Sequence, residues 1–193
     1  MTNEFVFDSP NQPIYTQQVN TYLAPGTVAP PEASAGKSGF LFVGTATNTS
    51  SLGILGGNVI ISIQLANPGG SGRTCYVARF TGGIGISLSL LSNFTGSVTL
   101  LQGGTLTGPT TVTPANSNFT SAQTSVMTVR SSTSAVSAGT SLQAIPLVGG
   151  PFQLSESGRI VVPPGQTLSV QVAGSLSVAG VLTNTINLEW WEA

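Results

Sequence analysis

The chain has 193 residues, of which 40% are hydrophobic and 6% are charged, with Lys+Arg 5, Asp+Glu 6 and no His. Soluble proteins average about 25% charged residues, so the composition excludes nucleic-acid binding, which depends on clustered Lys and Arg, and the hydrophobic content excludes intrinsic disorder. Without His, the chain lacks the commonest general base and metal ligand, and we expect a globular protein with little reactive chemistry.

The sequence shows neither a targeting segment nor a membrane span. Met1 is followed by Thr2, Asn3 and Glu4, not by the basic and then apolar stretches of a secretory signal peptide. No run approaches the ~18 apolar residues of a transmembrane helix. We therefore expect no membrane partner, and any position outside a cell would be reached without that signal. The single Cys75 predicts no internal disulfide; it is a small semi-buried residue or, alternatively, forms an intermolecular disulfide.

The first 38 residues differ in composition from the rest of the chain. They contain Pro10, Pro13, Pro25, Pro30 and Pro31, and because proline removes a donor and breaks regular elements, they predict an extended N-terminal arm. A frayed terminus is the alternative. Since a solvated tail has little use for apolar side chains, we predict that the arm docks on a neighbouring subunit. The predicted subunit-interface residues are Phe5, Val6, Phe7, Ile14, Tyr15, Val19, Tyr22 and Leu23.

From residue 39 to residue 193 the sequence predicts strands separated by turns. The strands are apolar or alternate apolar with hydroxyl-bearing residues, and turn signals such as 82–83, 149–151 and 163–165 bound them. Helix signals are nearly absent. The sequence therefore predicts an all-β fold, an antiparallel β-sandwich of jelly-roll type with about 8–10 strands. The predicted strands are 40–46, 58–65, 73–80, 85–91, 97–102, 125–130, 142–148, 159–162, 168–173 and 183–191.

Alternation assigns side chains to sheet faces at two places. Within 183–191 the even-numbered residues from Asn184 to Trp190 share one face, and Trp191 points to the other. One tryptophan then lies in the core, and the other is exposed or covered by something outside the 39–193 domain. Within 73–80 the same rule places Tyr76, Ala78 and Phe80 on one face, opposite Cys75 and Val77.

No motif supplies catalysis, a cofactor or a metal site. The tetrapeptide 35–38, Ala-Gly-Lys-Ser, resembles the end of a phosphate-binding loop, but Pro31 stands where that motif requires Gly. Glu189 and Glu192 lie three apart on a strand, hence on opposite faces, and lack supporting polar groups. We predict that the protein is not an enzyme and binds no cofactor or metal. A polar pocket around Glu156 or Glu189 would favour the enzyme alternative.

The charge deficit itself predicts association. Charged side chains normally keep sheet surfaces soluble and prevent edge-to-edge pairing, and this chain has few of them. An extended arm with alternate apolar residues could add a strand to a neighbouring subunit. Because such a contact is head-to-tail, it would propagate into a ring or a filament.

Four features combine in this sequence: an N-terminal segment without a signal peptide, a Gly/Ser/Thr-rich core, the strand pair PPGQTLSVQV at 163–172 and the ending NLEWWEA at 187–193. This combination resembles the small jelly-roll subunits of endospore appendages and related spore-surface proteins of Gram-positive spore formers. The resemblance implies a pilus-like homopolymer, extracellular or on the spore surface, whose partners are copies of itself and a spore-coat or other surface anchor protein.

In the appendage subunits the N-terminal connector carries Cys residues that cross-link neighbours. Residues 1–38 contain none, so strand complementation would be the link in this protein. The ending is also similar to virion-surface jelly rolls of phages and other viruses. The alternative function is therefore a trimeric decoration or binding module on a virion or spore surface.

Overall fold

The computed structural model describes residues 31–88 and 92–193, and the compact unit formed there spans Pro31–Ala193. All eight predicted interface residues, from Phe5 to Leu23, lie outside the described residues. Their docking on a neighbour stays a prediction.

The described residues form one helix and twelve strands. Helix α1 spans Pro31–Ser38. The strands are β1 (Leu41–Leu52), β2 (Gly57–Ala66), β3 (Cys75–Leu88), β4 (Phe94–Gln102), β5 (Thr110–Val112), β6 (Ala115–Asn116), β7 (Thr128–Ser132), β8 (Thr140–Leu147), β9 (Gly150–Ser155), β10 (Val161–Val162), β11 (Thr167–Leu176) and β12 (Gly180–Glu192).

The strands form two antiparallel sheets that pack against each other. In the first sheet the order is β10–β3–β12–β1–β6, and β9 also pairs with β3; in the second sheet the order is β5–β7–β2–β11–β4–β8. The predicted all-β fold and antiparallel β-sandwich are confirmed. The described residues hold twelve strands where about 8–10 were expected, because the sequence did not indicate the short strands β5, β6 and β9.

Alternate residues of each strand point into the core between the sheets. In β12, Asn184, Ile186 and Trp190 are buried on one face, as alternation predicted. The ring centroid of Trp190 lies 6.2 Å from that of Phe42 on β1. Each fully buried aliphatic or aromatic side chain contributes about 1.5–3 kcal/mol, so these inward faces are the main source of stability.

A β-bulge in β3 overturns the faces predicted for residues 73–80. Two adjacent residues of β12 pair with Arg79 and Val77, so Ala78 is the extra residue of the bulge. Phe80 consequently points into the core together with Val77. The prediction that Phe80 shares a face with Tyr76 and Ala78 was wrong, because one extra residue shifts the alternation.

Residues 31–38, which the sequence assigned to the extended arm, form a helix instead. Pro31 begins it at a position where a missing N–H costs nothing. Gly39, at a φ of 77°, ends it, and the N–H groups of Gly39 and Phe40 donate to the carbonyls of Gly36 and Ala35 at 3.2 and 2.8 Å. These end signals compensate for the weak helix propensity of the Gly and Ser residues. Because of that weak propensity, the sequence did not predict the helix.

Helix α1 covers the second tryptophan. Ala35 packs against the cluster that contains Trp191 and Ala78, and the rings of Tyr76 and Trp191 stack with centroids 5.5 Å apart. Trp190 and Trp191 do point to opposite faces, and both are buried. The cover of Trp191 comes from within the described unit, by a helix that precedes residue 39.

Candidate docking groove

A groove opens between the two sheets. It is lined by an edge strand of each sheet, namely β10 of the first sheet and β8 of the second. Residues of β4 and β11 and of the segments before and after β10 complete its lining. Its volume is about 980 Å³, which is near the upper end of the 300–1,000 Å³ typical of ligand pockets. A groove of this size can take several side chains of a partner.

Strand β8 is one of the two edge strands of the second sheet. Among the described residues it pairs with β4, so the other side of its backbone has no strand partner. Residues 140–144 are exposed. Pro146 has no N–H to donate, and proline is tolerated in sheets mainly at edges. The part of the edge that could still pair is therefore residues 140–145.

A second β-bulge brings an apolar side chain to this groove. Two adjacent residues of β4 pair with Ser141 and Gln143, so Leu142 between them has no partner. Bulges commonly redirect side chains at sheet edges, and Leu142 lines the groove while 50% exposed. On β10, Val161 also lines it and is 48% exposed. Each sheet thus contributes one half-exposed apolar side chain.

The base of the groove is apolar, and much of its lining is neutral. The core residues Leu100 and Leu168 lie at the base. Gln102, Gln143 and Gln166 add amide groups, which both donate and accept hydrogen bonds. An apolar floor beside neutral hydrogen-bonding groups and a strand edge is the arrangement that accepts an added peptide strand.

One ion pair borders the groove. Arg159 Nη2 donates to Glu156 Oε2 at 2.9 Å, and Arg159 Nε donates to the Glu156 carbonyl at 3.3 Å. The Arg159 side chain is 74% exposed and that of Glu156 is 7% exposed. The guanidinium therefore lies at the rim of the groove and compensates the charge of the buried carboxylate. A pocket around Glu156 is present, as the enzyme alternative required, but its lining within the described chain holds a single carboxylate and no His or Lys that could act as a base.

The turn that carries Glu156 is anchored on the bulge of β3. The carbonyl of Ala78 accepts backbone hydrogen bonds from Glu156 and Ser157, both at 2.8 Å. Gly158, at a φ of 82°, completes the turn, and a Cβ at that position would overlap the ring of Trp191. The wall of the groove is therefore in direct contact with the tryptophan under α1.

A second buried carboxylate lies near the end of β12. Glu192 accepts hydrogen bonds from Arg73 Nη1 at 3.1 Å, Ser125 Oγ at 2.5 Å, the Val126 N–H at 3.2 Å and Trp190 Nε1 at 3.1 Å. Its side chain is fully buried. The expectation that Glu192 lacks supporting polar groups was wrong, because three of its four donors come from parts of the chain distant in sequence. With its hydrogen bonds satisfied by protein groups, the carboxylate holds the strand end in place.

Glu189 lies on the other face of β12. Arg79 Nε and Nη2 donate to its two carboxylate oxygens at 3.0 and 2.9 Å, and these hydrogen bonds, followed by the charge of Glu189, raise the pKa of Arg79. Glu189 and Glu192 thus bind different arginines and form no catalytic pair. Across residues 31–88 and 92–193 no three side chains suited to metal binding lie together.

Cys75 is enclosed in the core. It is completely buried, and burial first, then the charge of Glu192, raise the pKa of its thiol. A thiol in this position cannot meet a cysteine of another chain while the unit stays folded. The semi-buried interpretation and the intermolecular disulfide are both corrected.

No protein-family model, no curated protein and no solved structure matches this chain. The resemblance to spore-appendage subunits stays a prediction that depends on the sequence features quoted above. In the part of the chain that the structure describes, no helix has the length and apolar character to cross a membrane.

Sequence reasoning did not find the groove. Its walls come from edge strands of different sheets, and their proximity depends on the strand order of both sheets. One local signal existed, since Pro146 marks β8 as an edge strand. The partner wall on β10 had no comparable signal, because that strand has only two residues.

Proposed function

We propose that this chain is a structural subunit that self-assembles into an extracellular fibre or surface appendage, its N-terminal arm docking on a neighbouring subunit by strand complementation. The observation that carries the proposal is the edge of β8, which no second strand of residues 31–88 and 92–193 covers, beside an apolar groove, in a chain that also has an N-terminal segment rich in apolar residues. A strand edge and a segment of alternating apolar residues are the two halves of a strand-addition contact.

The composition of β8 supports this proposal. Natural sheets protect their edges with Lys, inward-pointing charges or a covering element. The sequence of β8, TSLQAIPL, holds no charged residue, and its protective features are Pro146 and the bulge at Leu142. An edge with so little protection is expected to be covered by another chain.

The outer face of the first sheet carries hydroxyl groups between β1 and β12, beside one arginine–glutamate ion pair of β3 and β12. Thr47 and Thr185 share a hydrogen bond of 3.1 Å between their hydroxyls, and Thr49 and Thr183 share one of 2.9 Å. Rows of hydroxyls in place of Lys and Glu remove the repulsion that normally keeps copies apart. This face supports packing between subunits in a dense assembly.

Strand order supports the jelly-roll type within the sandwich. The first sheet contains the series β9–β3–β12–β1, and the second contains β2–β11–β4–β8. Jelly rolls consist of eight strands in two sheets, built from two Greek keys. We propose that these eight strands form the jelly roll and that β5, β6, β7 and β10 are additions to it.

The spore-surface location is part of the same proposal and depends on the sequence resemblance. Copies of this chain are its main partner, and a spore-coat or other surface protein would anchor the fibre. Immunogold labelling of intact spores with an antibody against the folded unit tests the location. Label on the exterior supports it, and label confined to the interior refutes it.

Deletion of residues 1–25 tests the function. This boundary keeps α1, whose loss would uncover Trp191 and confound the result. We expect the full chain to form filaments in negative-stain micrographs and the shortened chain to remain a folded monomer by light scattering. Filaments from the shortened chain would refute the role of the arm, and a closed trimer of the full chain would favour the decoration or binding module.

A further inference from the structure

We propose that the groove between β8 and β10 receives the segment 4–8, Glu-Phe-Val-Phe-Asp, of a second copy of this chain, which adds to β8 as an edge strand. This inference rests on the proposed function, because it names the surface and the segment through which the arm docks. The groove itself is fully formed within the described unit.

The walls of the groove require an occupant with large apolar side chains. Leu142 and Val161 are half exposed on walls that belong to different sheets, and Leu100 and Leu168 lie at the base. Apolar area on both walls can be removed from water only by a side chain inserted between them. A small polar ligand would leave the apolar area of both walls exposed to water.

The segment 4–8 has the matching alternation. In an extended strand Phe5 and Phe7 point to one face, while Glu4, Val6 and Asp8 point to the other. On β8, the two phenylalanine side chains would enter the groove and the two carboxylates would remain at the solvent side. No charge would then be buried.

Charge complementarity favours the same segment. Arg159 lies at the rim with its side chain 74% exposed. Two of its N–H groups contact Glu156, and the remaining guanidinium donors can receive a carboxylate of the incoming strand. Glu4 and Asp8, which flank the phenylalanines, supply that carboxylate from either end.

The length of the edge fits the length of the segment. Pairing can run over residues 140–145 of β8 and ends before Pro146, which has no N–H. Five residues of an added strand are covered by that stretch. Other exposed apolar residues, such as Leu55 and Phe119, lie in turns and not on a strand.

The arm is long enough to reach a neighbour. Residues 9–30 separate the segment from Pro31, and 22 residues of fully extended chain span at most about 75 Å. The longest strand of the sandwich, β3, has 14 residues, which corresponds to about 45 Å. The arm of one subunit can therefore pass along an adjacent subunit and enter its groove.

Site-directed cross-linking of full-length chains tests this contact. One copy carries Phe7→Cys, a differently tagged copy carries Leu142→Cys, and the two are co-expressed, assembled and mildly oxidised. Cys75 remains in place because it is buried. Val161→Cys is a second groove variant, and Leu55→Cys, at a position 94% exposed, is the matched control.

We expect a disulfide between differently tagged copies for both groove variants. Docking holds the two sulfurs at a high effective concentration, so the yield should exceed that of Leu55→Cys by about tenfold. Equal yields for groove and control would overturn the proposed site. A double variant with Phe7→Cys and Leu142→Cys that forms only an internal disulfide would overturn docking on a second copy.

The two proposals can fail separately. If deletion of residues 1–25 abolishes filaments but Phe7→Cys cross-links elsewhere, the proposed function stands and the groove is the wrong surface. If filaments persist without the arm, the proposed function fails first.

Discussion

The indole N–H of Trp190 donates a hydrogen bond to Glu192 Oε1 over 3.1 Å. The largest buried side chain of the core is thereby joined to a fully buried carboxylate two residues further along the same strand. Arg73 compensates the charge of that carboxylate at 3.1 Å, and Arg73 Cζ in turn lies 4.8 Å from the ring centroid of Phe40. This network closes the end of the sandwich at which α1 packs.

Removal of the Glu192 carboxylate should destabilise the folded unit strongly. In Glu192→Ala the indole N–H, the Val126 N–H and the Ser125 hydroxyl lose their acceptor, and Arg73 loses its counterion. Breaking a buried, hydrogen-bonded pair typically costs about 3–5 kcal/mol. Urea denaturation measures the free energy of unfolding.

The matched control is Glu189→Ala, at the other carboxylate of β12. Its pair with Arg79 is partly exposed, at 44% for the arginine side chain, and such pairs contribute about 0–1 kcal/mol. Equal losses for the two variants would contradict the structural role given to the Glu192 network.

The Cys75 thiol should make stability fall at alkaline pH. Burial, and secondarily the charge of Glu192, raise its pKa above the ordinary value of 9.0. Above pH 9 the unfolded chain therefore loses a proton that the folded chain keeps, so the free energy of unfolding decreases with pH. The slope for one such group is up to about 1.4 kcal/mol per pH unit.

The measurement is the free energy of unfolding from pH 8 to pH 10.5, compared with Cys75→Ala. The variant is expected to be less stable at pH 8, because a small cavity forms, but to lack the additional alkaline slope. Parallel pH profiles for the two proteins would show that the thiol does not titrate differently on folding.

The sequence was sufficient where periodicity alone decides the structure. Alternation in β12 correctly placed Ile186 and Trp190 on one face and Trp191 on the other, and the structure shows that the face of Trp190 is the one in the main core. It failed at Gly82 and Gly83, which were predicted as a turn and instead lie within β3. A Cβ on Gly82 would approach the Thr185 carbonyl and the Phe152 ring, so this glycine provides space for neighbouring strands, a need that local sequence does not reveal.

The groove illustrates the same limit for function. Leu142 and Val161 were both placed in predicted strands, but their exposure depends on a bulge and on a two-residue edge strand. A bulge arises from the pairing of two strands and not from the sequence of either one. For that reason the groove could be identified only from the tertiary structure, whereas the apolar residues of the arm could be identified from the sequence.

The contact between Gly158 and Trp191 should be intolerant of one added methyl group. Gly158→Ala would combine a positive φ of 82°, worth about 1–2 kcal/mol for a non-Gly residue, with overlap of the indole ring. Overpacking adds about 1–3 kcal/mol. We expect lower stability in urea and a change in the near-UV circular dichroism of the tryptophans.

Gly165→Ala is the control for backbone strain alone. Gly165 has a φ of 80°, and a Cβ there would meet no atom within 4 Å. The control should lose only the stability that a non-glycine residue costs at a positive φ. Its near-UV circular dichroism, which reports on the tryptophans, should stay unchanged. If both variants behave alike, the groove wall does not depend on its contact with Trp191.

A charge in the groove should block assembly without unfolding the subunit. Leu142 is 50% exposed on the edge strand, so Leu142→Glu can fold with its carboxylate in solvent, but a docked strand would desolvate that charge. Val148→Glu places the same charge just beyond β8, at a position 83% exposed and outside the groove lining. We expect urea denaturation to be unchanged for both variants, and Val148→Glu to form normal filaments. The concentration that Leu142→Glu needs to polymerise should rise by at least about tenfold. That rise corresponds to a loss of about 1.4 kcal/mol per contact between subunits. Sedimentation of filaments over a dilution series measures this concentration. Identical curves for the two variants would mean that subunits join through a different surface.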